Sequence, residues 1–250
     1  MEPILADLAG QQAELDGLLA GLEDADWLRP TRCEGWTLAD VVLHLAQTNE
    51  LALASANGDY AGAVVRLMAG APAASVDEGA AAMVERERGR PGPQVRTRWQ
   101  ASAEGLRQGL ATGDPHRRVS WVAGELSLRT LATTRLAETW IHSGDVADAL
   151  GLAPVPTDRI GHIARLAWRT LPYAFARAGR ELTGPVCFEL VGPGGDRWDF
   201  RPETAPVTII RGQAVELCLV AARRADPATT SLTGEGPDAA AVLELVRTYA

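Results

Sequence analysis

Residues 135 to 151 read RLAETWIHSGDVADALG and lie in the strongest helical pattern of the chain. Glu138 and His142 are four positions apart, so their side chains project from one face of a helix, about one turn from each other. The stripe that contains them comprises Leu131, Arg135, Glu138, His142, Asp145 and Ala149. The pattern predicts a helix from about Leu126 to Leu150, ended by Gly151 and the prolines that follow it.

Periodicity alone leaves two interpretations of this polar stripe. It could be a solvated face of paired charges, formed by Arg135, Glu138, His142 and Asp145. Alternatively it could face the core and bind a ligand, because the opposite stripe, with Leu136, Trp140 and Val146, could equally face solvent or core. A partner residue on a second helix is needed to choose between the two.

His44 is that candidate partner. A helix is expected to begin after Thr37, a good N-cap residue with Asp40 three positions on, and to end near Gly58. Within it, the run VVLHLA is apolar apart from His44. Taken alone, a histidine in such a run is more often a core residue than a ligand. In an up-down bundle, however, this helix would lie beside the one that carries Glu138 and His142.

Two imidazoles and one carboxylate form a sufficient set of ligands for one divalent ion. Zinc is the first candidate, ahead of nickel, manganese and iron. Only one Glu-x-x-x-His pair occurs, which predicts a single ion and not a two-metal carboxylate centre. Three protein ligands, His44, Glu138 and His142, would leave a position for water or substrate, as catalytic zinc sites do.

The chain divides by texture into a helical part and a smaller mixed part. Further helices are expected over residues 1 to 22, about 95 to 112 and about 158 to 178. Beyond Gly179 the runs PVCFELV, DRWDFRP and PVTIIRG are short and β-rich, the first two as a hairpin, and two helical patterns follow. We therefore predict a mainly α protein, with a helical bundle at 1–179 and a small α+β domain at 180–250.

The composition excludes several classes of function. The net charge of the 250 residues is -8, so the basic surface that nucleic acids or anionic membranes require is not expected. The three cysteines have no C-x-x-C spacing, and no run approaches the roughly 20 apolar residues of a membrane span. The N-terminus is acidic and unlike a signal peptide. These features predict a cytoplasmic protein, monomeric or homodimeric, that acts on a small molecule.

The two motifs together resemble a known family. GWTLADVVLHLA at 35 to 46 and RLAETWIHSGDVADALG at 135 to 151 are similar, in residue type, order and separation, to motifs of the DinB-like superfamily. They match specifically the mycothiol-dependent maleylpyruvate isomerase group, and the resemblance covers most of the chain. PVCFELVGPGGDRWDF and QAVELCLVAARR resemble the C-terminal extension of an actinobacterial metal-binding branch of that group.

This resemblance implies a four-helix bundle whose metal is held by His44, Glu138 and His142, and a mycothiol-type thiol delivered to that metal. Family members isomerise double bonds, transfer thiols or open electrophiles. A thiol bound to a divalent ion is deprotonated at neutral pH and is then a good nucleophile. If it adds to an activated double bond and leaves again, the product is an isomer; if it stays, the product is an S-conjugate. The alternatives are a metalloenzyme that uses no thiol, and a non-catalytic bundle that binds a metal or small molecule.

Other residues have weaker claims to a role. Asp145 and Arg135 could orient the ligands, and so could Asp40, although capping explains Asp40 equally well. Trp36 and Trp140 could line a pocket or simply pack in the core. Three arginines could meet a carboxylate of the substrate or of the thiol, but a solvated surface explains them as well; these are Arg211, Arg223 and Arg224. Among the cysteines, only Cys33 lies near the predicted site.

Overall fold

The computed structural model describes residues 1–68, 75–122 and 124–248. The chain forms two compact units, Met1–Pro154 and Val155–Ala250. The predicted boundary at 179/180 therefore falls inside the second unit. The segment from 158 to 178, predicted as one further helix of the bundle, belongs to the second unit, where Trp168 Nε1 donates a hydrogen bond to the carbonyl of Val186 in the sheet at 2.8 Å. An amphipathic helical pattern does not reveal which layer the helix covers, and this explains the difference.

The first unit is a four-helix bundle with additions. Its elements are α1 (Glu2–Leu19), α2 (Leu38–Ala56), α3 (Tyr60–Met68), α4 (Val76–Glu87), α5 (Gly92–Ala111), β1 (Arg118–Trp121), β2 (Gly124–Ser127) and α6 (Leu128–Ala149). The bundle consists of α1, α2, α5 and α6, which pack against one another. This architecture confirms the predicted mainly α fold with a four-helix bundle.

Local sequence explains where the two helices of the site begin. At the start of α2 the Thr37 side chain accepts from the Asp40 backbone N–H, and the Asp40 carboxylate accepts from the Thr37 N–H, so the predicted capping box is present. Helix α6 begins at Leu128, with Ser127 as its N-cap. The sequence pattern had predicted a start at Leu126. The difference arises because residues 124 to 127 pair with β1 in an antiparallel ladder that the periodicity did not reveal.

A polar layer crosses the bundle between two apolar clusters. One cluster includes Leu8, Leu51, Leu106 and Leu136, and the other includes Leu15, Leu45, Trp99 and Val146. The buried polar side chains that lie between them along the helices include Gln11, Gln12, Thr48, Asn49, Ser102, Glu138 and Thr139. Burying polar groups costs free energy unless they are bonded, so this layer is where binding chemistry is expected.

The second unit contains a four-stranded sheet and four helices in the described ranges. Its elements are α7 (Ile160–Arg169), α8 (Leu171–Arg177), β3 (Val186–Val191), β4 (Arg197–Phe200), β5 (Thr208–Gln213), α9 (Ala214–Ala221), β6 (Thr233–Glu235) and α10 (Ala239–Leu245). The strand order is β4-β3-β5-β6, with β3 and β4 antiparallel, as in the predicted hairpin, and β3 and β5 parallel.

The helix predicted at about 158 to 178 is interrupted at Thr170. Pro172 cannot donate the backbone hydrogen bond that would continue α7, which explains the break. Among the described helices, none is both long enough and apolar enough to cross a membrane.

Candidate metal centre

Three side chains on two helices bring their donor atoms together inside the bundle. His44 comes from α2, and Glu138 and His142 come from α6. Glu138 Oε2 lies 3.5 Å from His44 Nε2 and 3.8 Å from His142 Nε2. The two imidazole rings are 5.1 Å apart at 75°. All three residues are buried, and their ligand atoms lie within 4.8 Å of one another. The polar stripe of α6 therefore faces inward.

This donor set fits a divalent ion. Zinc bound at about 2.0 to 2.1 Å in a tetrahedral site holds its ligand atoms roughly 3.4 Å apart. The distances from Glu138 Oε2 to the two imidazole nitrogens are close to that value. Two nitrogens and one carboxylate oxygen are also the ligand types found in catalytic zinc sites. The residues that would hold the ion are His44, Glu138 and His142.

Asp145 fixes the orientation of the His142 ring. Its Oδ2 lies 2.9 Å from His142 Nδ1, and the residue is 1% exposed. Because Nδ1 is occupied by this bond, Nε2 of His142 is the nitrogen turned toward Glu138. A carboxylate on the far nitrogen is the usual partner of a metal-binding histidine, since it selects the tautomer and holds the ring.

His44 is held differently from His142. Its ring lies 5.1 Å from that of Trp36, at 49°. Burial lowers the pKa of His44, which favours the neutral imidazole that a metal requires. Trp36 therefore contacts a candidate ligand. Trp140 is half-buried and lies two positions from both Glu138 and His142, so its side chain points away from theirs on the helix.

The carboxylate of Glu138 is strongly stabilised as an anion. Burial alone would raise the pKa of Glu138, but the hydrogen bond with His44 and the charges of Arg135 and His142 lower it to about 2. Burial would also lower the pKa of His142, yet the hydrogen bonds with Asp145 and Cys33 and the charge of Glu138 raise it to about 9. The buried charges of Glu138 and His142 therefore stabilise each other, with the help of the neighbouring side chains.

Arg135 extends this charged cluster by one turn of α6. Its Nη2 lies 3.8 Å from Glu138 Oε2, and its guanidinium carbon lies 5.1 Å from the centre of the Trp121 ring. The residue is 3% exposed. Arg135 therefore lies beside Glu138, with its guanidinium carbon over the indole ring of Trp121 in β1.

Cys33 is the contact that sequence reasoning undervalued. Its Sγ donates to Asp145 Oδ2 at 3.4 Å and lies 4.0 Å from His142 Nδ1. Both contacts are on the Nδ1 side of the imidazole, whereas Glu138 Oε2 lies on the Nε2 side. Cys33 therefore supports Asp145, and with Asp145 and His142 it forms a second group of potential ligand atoms that lie within 4.8 Å of one another. In the sequence, only the position of Cys33 just ahead of α2 pointed to this contact, and that position is a weak indication.

The remaining predicted residues have other partners. The Asp40 carboxylate binds Thr37 and Arg88, so its capping role accounts for it. Arg211 belongs to the second unit, where it pairs with Glu189 and Glu235. Arg223 and Arg224 also belong to that unit and donate to the backbone carbonyls of Glu244 and Ala222, respectively.

Comparison with known proteins gives consistent findings. A family described as the mycothiol maleylpyruvate isomerase N-terminal domain matches residues 8–147. Two uncharacterized proteins of Mycobacterium tuberculosis, from strains CDC 1551 and H37Rv, are each 33% identical to this chain over 252 residues. The matches cover 99% of this chain and 95% of each relative.

Two crystal structures share the fold. One is the mycothiol-dependent maleylpyruvate isomerase, at 18% identity, and the other is a single-residue mutant of that enzyme, at 16%. Both superpose with a TM-score of 0.63, and each match covers 95% of both chains. At these identities the similarity is one of fold.

Proposed function

Because the chain belongs to the family of the mycothiol maleylpyruvate isomerase N-terminal domain, we propose that it is a metal-dependent enzyme that uses a mycothiol-type thiol on a small electrophilic metabolite. The observation that carries this proposal is the buried convergence of His44 Nε2, Glu138 Oε2 and His142 Nε2. The reaction would be an isomerisation or an S-conjugation, since both begin when the thiol sulfur attacks an electron-poor carbon.

Each residue of the centre has a definite task under this proposal. A divalent ion bound there would lower the pKa of a coordinated thiol, so that the thiol is ionised at neutral pH. His44 contributes a neutral imidazole, kept neutral by its burial. Glu138 contributes a carboxylate that stays ionised, and Asp145 holds the His142 ring in place. Burial of all of them excludes water from the side of the ligands.

Metal analysis tests the first half of the proposal. We expect about one divalent ion per chain in the purified protein and loss of that ion in His44→Ala and His142→Ala, because each removes one of three ligands. His116→Ala is the matched control, since His116 is exposed in a loop before β1. Absence of metal from the wild type, or its retention in both ligand variants, would contradict the proposed metal centre.

Cobalt substitution tests the thiol. Titration of the cobalt-loaded protein with mycothiol should produce a sulfur-to-cobalt charge-transfer band, which should be absent from His142→Ala. A protein that binds cobalt and gives no such band would instead be a metalloenzyme that works without a thiol, with the ion acting on water or directly on the substrate.

A further inference from the structure

Arg135 is a buried cation with too few hydrogen-bond partners. Its side chain is 4% exposed, and its ion pair with Glu138 uses only Nη2. The Nε and Nη1 atoms are buried and have no hydrogen-bond partner among the described residues. A guanidinium carries five N–H donors, and leaving buried donors unmet is costly. Such a side chain indicates a ligand that supplies the missing acceptors.

The contacts that Arg135 does make leave its remaining N–H groups available to bind that ligand. The guanidinium carbon lies over the Trp121 ring, 5.1 Å from the ring centre. This cation–π contact holds the group against the ring but supplies no nitrogen or oxygen acceptor for its N–H bonds. The contact with Glu138 Oε2 keeps the same group beside the oxygen that both imidazoles face.

The charge balance of a loaded centre indicates the sign of the ligand. His44 and His142 would be neutral as ligands, so the charges that remain are those of the ion, Glu138, Asp145 and Arg135. A divalent ion and one arginine exceed two carboxylates by one positive charge. Glu138 would then share its charge with the ion, which leaves Arg135 less compensated than it is without metal. An anion at the centre restores the balance; a coordinated thiolate can supply this charge, but only a ligand that reaches Arg135 supplies acceptors for its unmet N–H donors.

We propose that Arg135 is the residue with which this centre recognises a carboxylate of its small-molecule ligand. The proposal rests on the proposed function, and it adds the chemical class of the ligand and the residue that selects it. A carboxylate fits because its two oxygens match the planar donors of a guanidinium. The carboxylate could belong to the substrate or to the thiol, and the two sources can be separated by experiment.

Pairs of small probes measure the preference for a carboxylate. Mercaptoacetate and mercaptoethanol both carry a thiol, but the first has a carboxylate where the second has a hydroxyl. Propionate and propanamide carry no thiol, and they compare a carboxylate with a neutral amide. Calorimetric titration of the metal-loaded protein should give tighter binding of the carboxylate in each pair, by about tenfold or more. If propionate is still preferred when mercaptoethanol saturates the protein, the carboxylate belongs to the substrate; if that preference disappears, it belongs to the thiol.

Variants assign the preference to Arg135. The ion itself attracts carboxylates in every variant, so the informative quantity is the change in preference. Arg135→Gln should lose about tenfold of the preference or more, and Arg135→Lys should keep part of it, because the charge remains while the planar fork is lost. Arg96→Gln is the matched control, because it also removes one positive charge, here from an arginine whose partner is Asp16.

Metal content, measured on the same samples, separates this inference from the proposed function. An Arg135→Gln protein that keeps its metal and its full carboxylate preference overturns the inference. So does one whose metal affinity falls while the preference is unchanged, because Arg135 would then only compensate Glu138. Failure of the wild type to bind metal or mercaptoethanol argues against the proposed function, whereas the propionate comparison in Arg135→Gln and Arg96→Gln still reports on Arg135.

Discussion

Oδ2 of Asp145 lies 2.9 Å from Nδ1 of His142, three positions earlier on the same helix. The same oxygen accepts from the Cys33 thiol at 3.4 Å. One buried carboxylate therefore ties the loop before α2 to α6 and turns a histidine toward Glu138. A bond of this kind sets the direction of the imidazole before any ion arrives, which reduces the ordering cost of binding.

Loss of Asp145 should weaken metal binding without abolishing it. In Asp145→Ala the His142 ring can rotate and change tautomer, so we expect the affinity for zinc to fall about tenfold to a hundredfold. Competition with a chromophoric chelator measures this change. Asp148→Ala is the control, because Asp148 is on the same helix, pairs with Arg32 and is 57% exposed. Equal effects of the two substitutions would show that Asp145 has no special part in the centre.

Cys33 should be dispensable for the ion itself. Its sulfur lies on the Nδ1 side of His142, away from the point where the three ligand atoms meet. Cys33→Ser should therefore retain the full metal content, with a change in affinity below about tenfold, since the serine hydroxyl can still donate to Asp145. Elemental analysis and the chelator competition measure both quantities. Loss of stoichiometric metal from this variant would mean that Cys33 is itself a ligand.

Glu138 and Arg135 should be coupled in the stability of the metal-free protein. Glu138→Gln leaves the buried Arg135 without its counter-charge, so we expect the free energy of unfolding to fall by about 3 to 5 kcal/mol. Adding Arg135→Gln to that variant should recover much of the loss, because no unpaired charge then remains. Urea denaturation of the single and double variants gives the coupling energy. Strictly additive effects would contradict this account of the pair.

Acid should destabilise the bundle partly through Glu87. Burial would raise the pKa of Glu87, but hydrogen bonds from Arg98 and Gln47 hold it below its usual range. The pKa of Glu87 in the folded protein is thus below the unfolded value of about 4.3. The stabilisation of the fold by ionised Glu87 is therefore complete above that pH and is lost as pH falls through the folded pKa.

Replacing the cation tests this dependence. Arg98→Gln removes contacts of 2.7 Å to both Glu87 and Glu50. We expect the free energy of unfolding to fall by on the order of 1 kcal/mol near neutral pH and by less below about pH 4. Arg90→Gln, which removes a more exposed partner of Glu87, should change little. Urea unfolding followed from pH 3 to pH 7 measures the difference, and a loss that is equal at both ends would exclude the Glu87 linkage.

Some features of the centre were within reach of the sequence. Thr37 and Asp40 predicted the start of α2 correctly, because a capping box is a local arrangement. The family was also identified correctly, since two motifs in the right order and separation are far more specific than either alone. The short strands at 118–127 were missed, because four-residue strands leave almost no periodic signal.

The spacing of Glu138 and His142 already places them on one face of a helix, with Asp145 a turn away, because the helical period fixes the relative direction of side chains along one element. Only the packed fold shows that this face turns inward, that His44 meets it from α2, and that Cys33 reaches Asp145. It also placed the division of the chain at Pro154. The rotation of a helix about its axis and the layer it joins depend on the packing of the whole core, which no single stretch of sequence specifies.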